Sequence, residues 1–248
     1  MLLRDKVALI TGASTGIGAA AARLFAAEGA SVVLAARSSD KITSLASEIG
    51  GVAVVADVAS DSDCARAVST AVERFGRLDV AFNNAGVGPD GMVLTDSTAW
   101  DATLSVNLTG VAQCMRHEIR AMVSGGGGAI VNNASTAAFF GTAFASAYSA
   151  AKHGVIGLTK TAAAEYGRAG IRVNAVNPGV VETPQTEPWF SIPGERERAA
   201  TWNALKRLAS PAEVAEAALW LLSDRASFVT GAVLAVDGGY TAIAPGVG

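Results

Sequence analysis

Tyr148 and Lys152 are the residues of this chain best suited to proton chemistry, because they stand four positions apart in a stretch of helical composition. That spacing puts both side chains on one helix face, about one turn apart. A free tyrosine hydroxyl titrates near ~10, and a fixed ammonium beside it favours the phenolate and moves proton exchange toward neutral pH. Such a phenol gives a proton when a carbonyl is reduced and takes one when an alcohol is oxidised. Thirteen residues before Tyr148, Ser135 follows an apolar, strand-like run. No base is in evidence to activate it as a nucleophile, so its hydroxyl suits orienting and polarising a substrate oxygen. Alone, a Tyr-xxx-Lys pair also suits an ordinary helix surface, and a serine after a strand also suits a loop or a cap.

A second constellation lies near the start. Thr11-Gly12-Ala13-Ser14-Thr15-Gly16-Ile17-Gly18 follows a β-branched run and opens an Ala-rich one. Backbone N–H groups there, at a helix N-terminus, can hold a pyrophosphate, and glycine lets the ligand approach closely. The spacing is Gly-xxx-Gly-x-Gly, only a partial match to the usual Gly-x-Gly-x-x-Gly dinucleotide fingerprint.

These groups need a scaffold that gathers them. Short apolar runs at 7–11, 32–36, 52–57, 80–85, 129–134, 172–176 and 232–236 read as seven strands. Segments around 17–28, 41–49, 62–75, 100–122, 145–166 and 211–222 read as helices. Near-continuous hydrophobicity suits parallel strands covered on both faces, and the alternating order predicts a single-domain α/β fold: a doubly wound, Rossmann-like, seven-stranded parallel sheet flanked by helices. Gly125 to Gly128 end a helix and turn into the fifth strand. The longest irregular stretch, 182–208, carries Pro184, Pro188, Pro193, Trp189, Phe190 and Trp202 and reads as an aromatic, partly mobile substrate flap at the edge where open sheets bind ligands.

Taken together with the motifs that follow, these residues make the whole chain resemble the short-chain dehydrogenase/reductase family. Thr11 to Gly18 match its TGxxxGxG motif, Asn83-Asn84-Ala85-Gly86 its NNAG motif, and Asp57-Val58 its adenine-contacting pair. Asn107, Ser135, Tyr148, Lys152 and Pro178-Gly179 fall in the family's order, and the likeness runs through Thr230-Gly231 and Asp237-Gly238-Gly239. The resemblance implies that Gly12, Ser14, Thr15, Gly16, Ile17 and Gly18, with Asn84, Ala85 and Gly86, hold a nicotinamide dinucleotide. It implies that Lys152 also bonds the nicotinamide ribose, that Asn107 holds a water linking Lys152 to solvent, and that Val181 and Thr183 contact the carboxamide. Asn107 alone also suits a capped helix position, and Pro-Gly alone is a turn.

A cofactor lacking a 2′-phosphate is normally gripped by a carboxylate at the end of the second strand, where this chain has Ala36. Arg37 can pair with a phosphate and Ser38 and Ser39 add donors, so NADP(H) is favoured over NAD(H). Asp40 and the lack of a basic residue at Ser14 or Thr15 count the other way. Segments 88–93, 136–144 and 182–202 should line a mostly apolar pocket; Phe139, Phe140, Phe144, Trp189 and Phe190 suggest a hydrophobic, cyclic or aryl-bearing substrate, with no Arg or Lys expected to hold a carboxylate. Asn132 and Asn133 read as strand-end hydrogen-bonding groups, and His117 and His153 as structural or interface residues.

A net charge of -3, with scattered Lys and Arg, offers no field for a nucleic-acid backbone. Polar residues interrupt every run before membrane-spanning length, and the N-terminus lacks the order of a secretory signal, so a cytoplasmic protein is expected. Cys64 and Cys114 are fifty positions apart with no CxxC or His partner, which suggests neither a disulfide scaffold nor a metal site. The resemblance implies a homotetramer. The leading expectation is a reversible alcohol/carbonyl oxidoreductase; the alternatives are an NAD-dependent dehydrogenase of a sugar or cyclic diol, and a non-catalytic cofactor-binding structural or regulatory protein.

Overall fold

Seven β-branched segments pair side by side in the order β3-β2-β1-β4-β5-β6-β7, every pair parallel, in a computed structural model that describes residues 1–89 and 98–243. The strands are β1 (Val7–Thr11), β2 (Ser31–Ala36), β3 (Val52–Val55), β4 (Val80–Asn83), β5 (Gly128–Asn133), β6 (Ile171–Pro178) and β7 (Val233–Val236). Period-two alternation divides their side chains between two cores. Ala8 and Ile10 face one and Val7 and Leu9 the other. The first core is closed by α1 (Gly16–Ala27), α2 (Ser39–Ile49) and α9 (Pro211–Leu222), the second by α3 (Asp61–Phe75), α5 (Gly110–Gly125) and α6 (Ser146–Tyr166). This is the expected Rossmann-like architecture.

The chain winds outward from β1 to β3, then crosses back to β4 and winds the other way. The reversal leaves a crevice beyond the C-terminal ends of β1 and β4, where open sheets bind ligands. Both ends carry motif residues. Thr11 Oγ1 accepts the amides of Asn84 and Ala85 (3.0 and 3.1 Å), which turns the chain out of the sheet. For that reason β4 stops at Asn83, two residues short of expectation.

The helix expected across 100–122 is interrupted. α4 (Thr98–Leu104) runs into a wide π turn at Ser105–Thr109 before α5 begins, and Gly110 N–H donates to Ser105 O in an i→i+5 bond. Two contacts hold this irregularity. Asn107 Nδ2 donates to Val87 O (3.0 Å) while its Oδ1 accepts Val87 N (2.9 Å). A Cβ on Gly110 would sit 2.9 Å from Val58 Cγ2 and 3.0 Å from Val58 O. Register breaks of this kind recur at functional sites.

The flap expected to be irregular also folds. It forms α7 (Glu187–Phe190) and α8 (Glu195–Ala200), pinned by Trp189 Nε1 donating to Glu195 Oε2 (2.7 Å) and by an Arg196–Glu182 ion pair. By contrast α9 starts where expected, because Ser210 and Glu213 form a reciprocal capping box with Pro211 in the first turn.

Candidate active site

A cleft of about 470 Å³ lies over the β1/β4 crossover, and most residues singled out in the sequence line it. Gly12, Ser14, Thr15, Gly16 and Ile17 form its floor, with Asn84, Ala85 and Gly86 alongside. Arg37, Ser38, Asp57 and Val58 close one end. Ser135, Tyr148 and Lys152 stand toward the other, beside Pro178, Gly179, Val181 and Thr183. Two expected residues do not reach the cleft. Gly18 lies beneath the floor, and Asn107 is wholly buried behind Gly86, its side chain committed to Val87.

The floor fits a dinucleotide. Gly12 has φ +64, and a Cβ on it would fall 2.7 Å from Ala85 Cα; one on Gly18 would fall 2.2 Å from Gly12 O. Thr15 caps α1 without a side-chain bond, so the first-turn N–H groups remain available to an anion. Asn84 braces this loop by donating to Thr11 O and Gly12 O, both at 3.2 Å. Replacing Gly18 by Ala is expected to weaken cofactor binding at least about tenfold and to lower stability by about 1–3 kcal/mol. Fluorescence titration with thermal melts checks this; unchanged affinity would show that the loop is not the cradle.

Lys152 is 4% exposed, its Nζ donating to Asn133 O at 2.8 Å and lying 5.6 Å from the Tyr148 ring centre. Burial lowers its pKa to about 8. The half-buried Tyr148 behaves otherwise than expected: burial raises its hydroxyl above the ordinary value, and the hydrogen bond with Ser135 opposes this only in part. The physical reason is that the ammonium is spent on the Asn133 carbonyl and stands over the ring instead of at the oxygen. A phenol kept protonated is a proton donor in waiting. Ser135 begins a short 3-10 turn, its Oγ accepting Ala137 N at 3.2 Å.

Arg37 is exposed and lies 4.0 Å from Asp57 Oδ2, so its guanidinium is available at the cleft end but has a carboxylate neighbour. The opposite end is aromatic. Phe140 meets Tyr240 edge-on at 5.4 Å, and Tyr240, Trp202 and Trp189 follow at 6.3 and 5.4 Å. Of the aromatics expected in the pocket, Phe140 and Trp189 line it, while Phe139, Phe144 and Phe190 do not. Phe190 instead stacks under Arg196 at 4.9 Å. The flap does contain Arg196 and Arg198, but they are tied to Glu182, Glu187 and Glu195 and do not line the cleft. Asp90 to Val93 lie outside the described residues.

Sequence reasoning missed Tyr240 and the Asn133 carbonyl. Tyr240 is brought back by Gly238 and Gly239, at φ 63 and 86, with Asp237 accepting the amides of Gly239 and Thr241 at 2.9 Å. The paired glycines before an aromatic were the available signal. A main-chain acceptor leaves none. His117 and His153 are structural, bonding Asp61 at 3.1 Å and Ser149 O at 2.8 Å.

Over residues 12–241 the chain matches the family described as enoyl-(acyl carrier protein) reductase. It is 49% identical over 249 residues to an A-factor type gamma-butyrolactone 1'-reductase (1S-forming) of Streptomyces virginiae, with 97% of each chain covered. It is 45% identical over 246 residues to a cis-4-hydroxycyclohexanecarboxylate dehydrogenase of Sinomonas cyclohexanicum, covering 96% of this chain and 98% of that one. Its fold matches the crystal structure of levodione reductase with a TM-score of 0.91 at 36% identity, covering 98% of this chain and 100% of the other. The chain therefore belongs to the short-chain dehydrogenase/reductase family and is a nicotinamide-dependent oxidoreductase of alcohols and carbonyl compounds.

Proposed function

We propose that the protein interconverts an apolar, ring-bearing secondary alcohol and its ketone, using NADP(H). One observation carries this reading: Tyr148, Lys152 and Ser135, distant from the glycine loop in sequence, line the same cleft as that loop. When bound, the dinucleotide supplies or accepts the hydride. Tyr148 gives or takes the proton at the substrate oxygen, Ser135 orients that oxygen, and Lys152 holds the nicotinamide ribose beside the phenol. The backbone from Gly12 to Gly18 and Asn84 to Gly86 cradles the pyrophosphate side, with Asp57 and Val58 at the adenine. Pro178, Gly179, Val181 and Thr183 close over the nicotinamide; Thr183 Cγ2 already stands 3.2 Å from the Cβ position of Gly16. Because the Asn107 amide is spent on Val87, a relay water beside Lys152 would bind a main-chain carbonyl of the π turn.

The ring-bearing substrate is supported by the wall of Phe140, Trp189, Trp202 and Tyr240, and by the ring compounds in the names of the two relatives. We place both sites in one domain, with 182–208 as the substrate flap. Arg37 and Ser38 at the adenosine end support NADP(H). NADPH is expected to bind on the order of tenfold more tightly than NADH, and Arg37→Ala to erase the difference, since one charge-assisted phosphate contact is worth about 1.5–3 kcal/mol. Direct titration of both cofactors checks this; NADH bound as tightly by the parent would defeat it. The Arg37–Asp57 contact favours that second reading, NAD-linked oxidation of a cyclic diol or sugar.

We further propose a cytoplasmic homotetramer. No helix among the described residues is long and apolar enough to cross a membrane. The edge strand β7 exposes Leu234, and Trp220 and Phe228 are also exposed apolar groups, consistent with subunit contacts. Analytical ultracentrifugation tests this, and a monomer would contradict it.

A further inference from the structure

Beneath the cleft floor lies a carboxyl group that the reaction described above does not use. Glu118 on α5 is 0% exposed, and its hydrogen-bond partner among the described residues is Asn83, whose Nδ2 donates to Glu118 Oε2 at 2.9 Å. A chain of donors fixes the direction of every bond around it. Thr159 Oγ1 donates to Val155 O (2.8 Å), so it accepts from Asn132 Nδ2 (2.9 Å). That leaves Asn132 Oδ1 to accept from Asn83 Nδ2 (3.1 Å). Both Nδ2 protons of Asn83 are therefore assigned, one to Asn132 and one to Glu118.

Two buried oxygens are then left over, Asn83 Oδ1 and Glu118 Oε1, each without a partner among the described residues. When the Nδ2 proton given to Glu118 is the one on the Oδ1 side of Asn83, this bond brings the two remaining oxygens side by side. Two bare acceptors there repel, whereas one acid proton joins them in a second bond. Among the described residues the surroundings supply no compensating cation. α3 offers the Cys64 thiol, α5 itself Cys114, β4 and β5 the two amides, and α6 the Thr159 hydroxyl. Arg172 of β6 is turned onto the carbonyls of Leu221, Leu222 and Ser223, and Arg116 and His117 onto the exposed Asp61. Burial accordingly raises the Glu118 pKa to about 7.

The same ladder continues into the cleft. Asn83 and Asn132 are register partners, and the residues that follow them are joined as Asn133 Nδ2 donates to Asn84 Oδ1 at 2.9 Å. Asn84 braces the glycine loop, and Asn133 O receives Lys152 Nζ. We infer that Glu118 is held as the neutral acid, donating to Asn83 Oδ1, and that this carboxyl–carboxamide ring is a positioning device that fixes the ends of β4 and β5 and so orients Lys152. Its effect on turnover rests on the role proposed for Lys152; the protonation state does not.

The test compares Glu118→Gln, whose amide can close the same ring without titrating, with Glu118→Leu, which cannot. A carboxyl whose folded pKa is raised holds more protons folded than unfolded, between its unfolded value near ~4.3 and the folded value. Stability conferred by the ring is thus greatest at acid pH and is lost as pH rises through that window. Melts of the protein without substrate should show the parent losing stability from about pH 4 to about pH 7, and Glu118→Gln losing less while matching or exceeding the parent at the upper end. The Gln variant should keep the parental pH–kcat profile, while the Leu variant should lose kcat about tenfold with its alkaline limb displaced. A Gln variant as impaired as the Leu variant, or with the parent's full pH slope, would overturn the inference. Should the Leu variant not fold, the Gln melts alone decide it. Failure of the proposed reaction would leave those melts unchanged.

Discussion

Tyr148→Phe is expected to lower turnover by about 10²–10⁴-fold while leaving fold and cofactor affinity nearly intact. The phenol ring still fills its place beside Lys152, so packing is kept and only the hydroxyl is lost. Because burial holds that hydroxyl above its ordinary pKa, the parent is protonated and ready to donate at neutral pH. Carbonyl reduction should therefore run level through neutrality and decline as Lys152 deprotonates near pH about 8, while alcohol oxidation should improve with rising pH until that point. Steady-state rates in both directions, with a cofactor titration of the variant, test this. Retained turnover would remove Tyr148 from the chemistry; lost cofactor binding would make its role structural.

Lys152→Met should abolish most turnover and yet stabilise the protein. Burial lowers the folded pKa of Lys152 from 10.5 to about 8, so at neutral pH the folded state carries a buried charge at a cost of about 3 kcal/mol. The lost hydrogen bond to Asn133 O offsets about 1 kcal/mol of what Met recovers. The net gain of about 2 kcal/mol corresponds to a rise in Tm of roughly 4–8 °C for a chain of this size. The sign of the pH dependence follows. Between about 8 and 10.5 the unfolded chain binds the extra proton, so parental stability rises with pH across that window, and the Met variant should lack this rise. Melts across that window check it, and a less stable Met variant at neutral pH would show that the ammonium has a counter-charge not accounted for above.

The sheet was legible because buried parallel strands are written as short β-branched runs, and β1, β2 and β5 fall within a residue or two of their expected limits. Chemistry tied to the backbone was legible too: the glycines of the loop are there because a Cβ has nowhere to go. What escaped was set by contacts between distant segments. Helical composition from residue 100 to 122 conceals the π turn, since the clamp that holds it is made with Val87; Gly110 inside the run was the one local sign. Cys64 and Cys114, fifty positions apart, have their sulfurs at 3.5 Å, which the packing of α3 against α5 determines. The rise in the Tyr148 pKa could not be read either. It depends on where Lys152 points, and that is decided by the Asn133 carbonyl.

The central claim is best tested by isotope transfer. With a cyclic ketone and NADPH deuterated at C4 of the nicotinamide, mass spectrometry of the alcohol should find one deuterium at the carbinol carbon, on one face only, and Tyr148→Phe should form that product far more slowly. Consumption of the cofactor with the label appearing elsewhere, or no labelled alcohol from any ring-bearing ketone with either cofactor, would contradict the account.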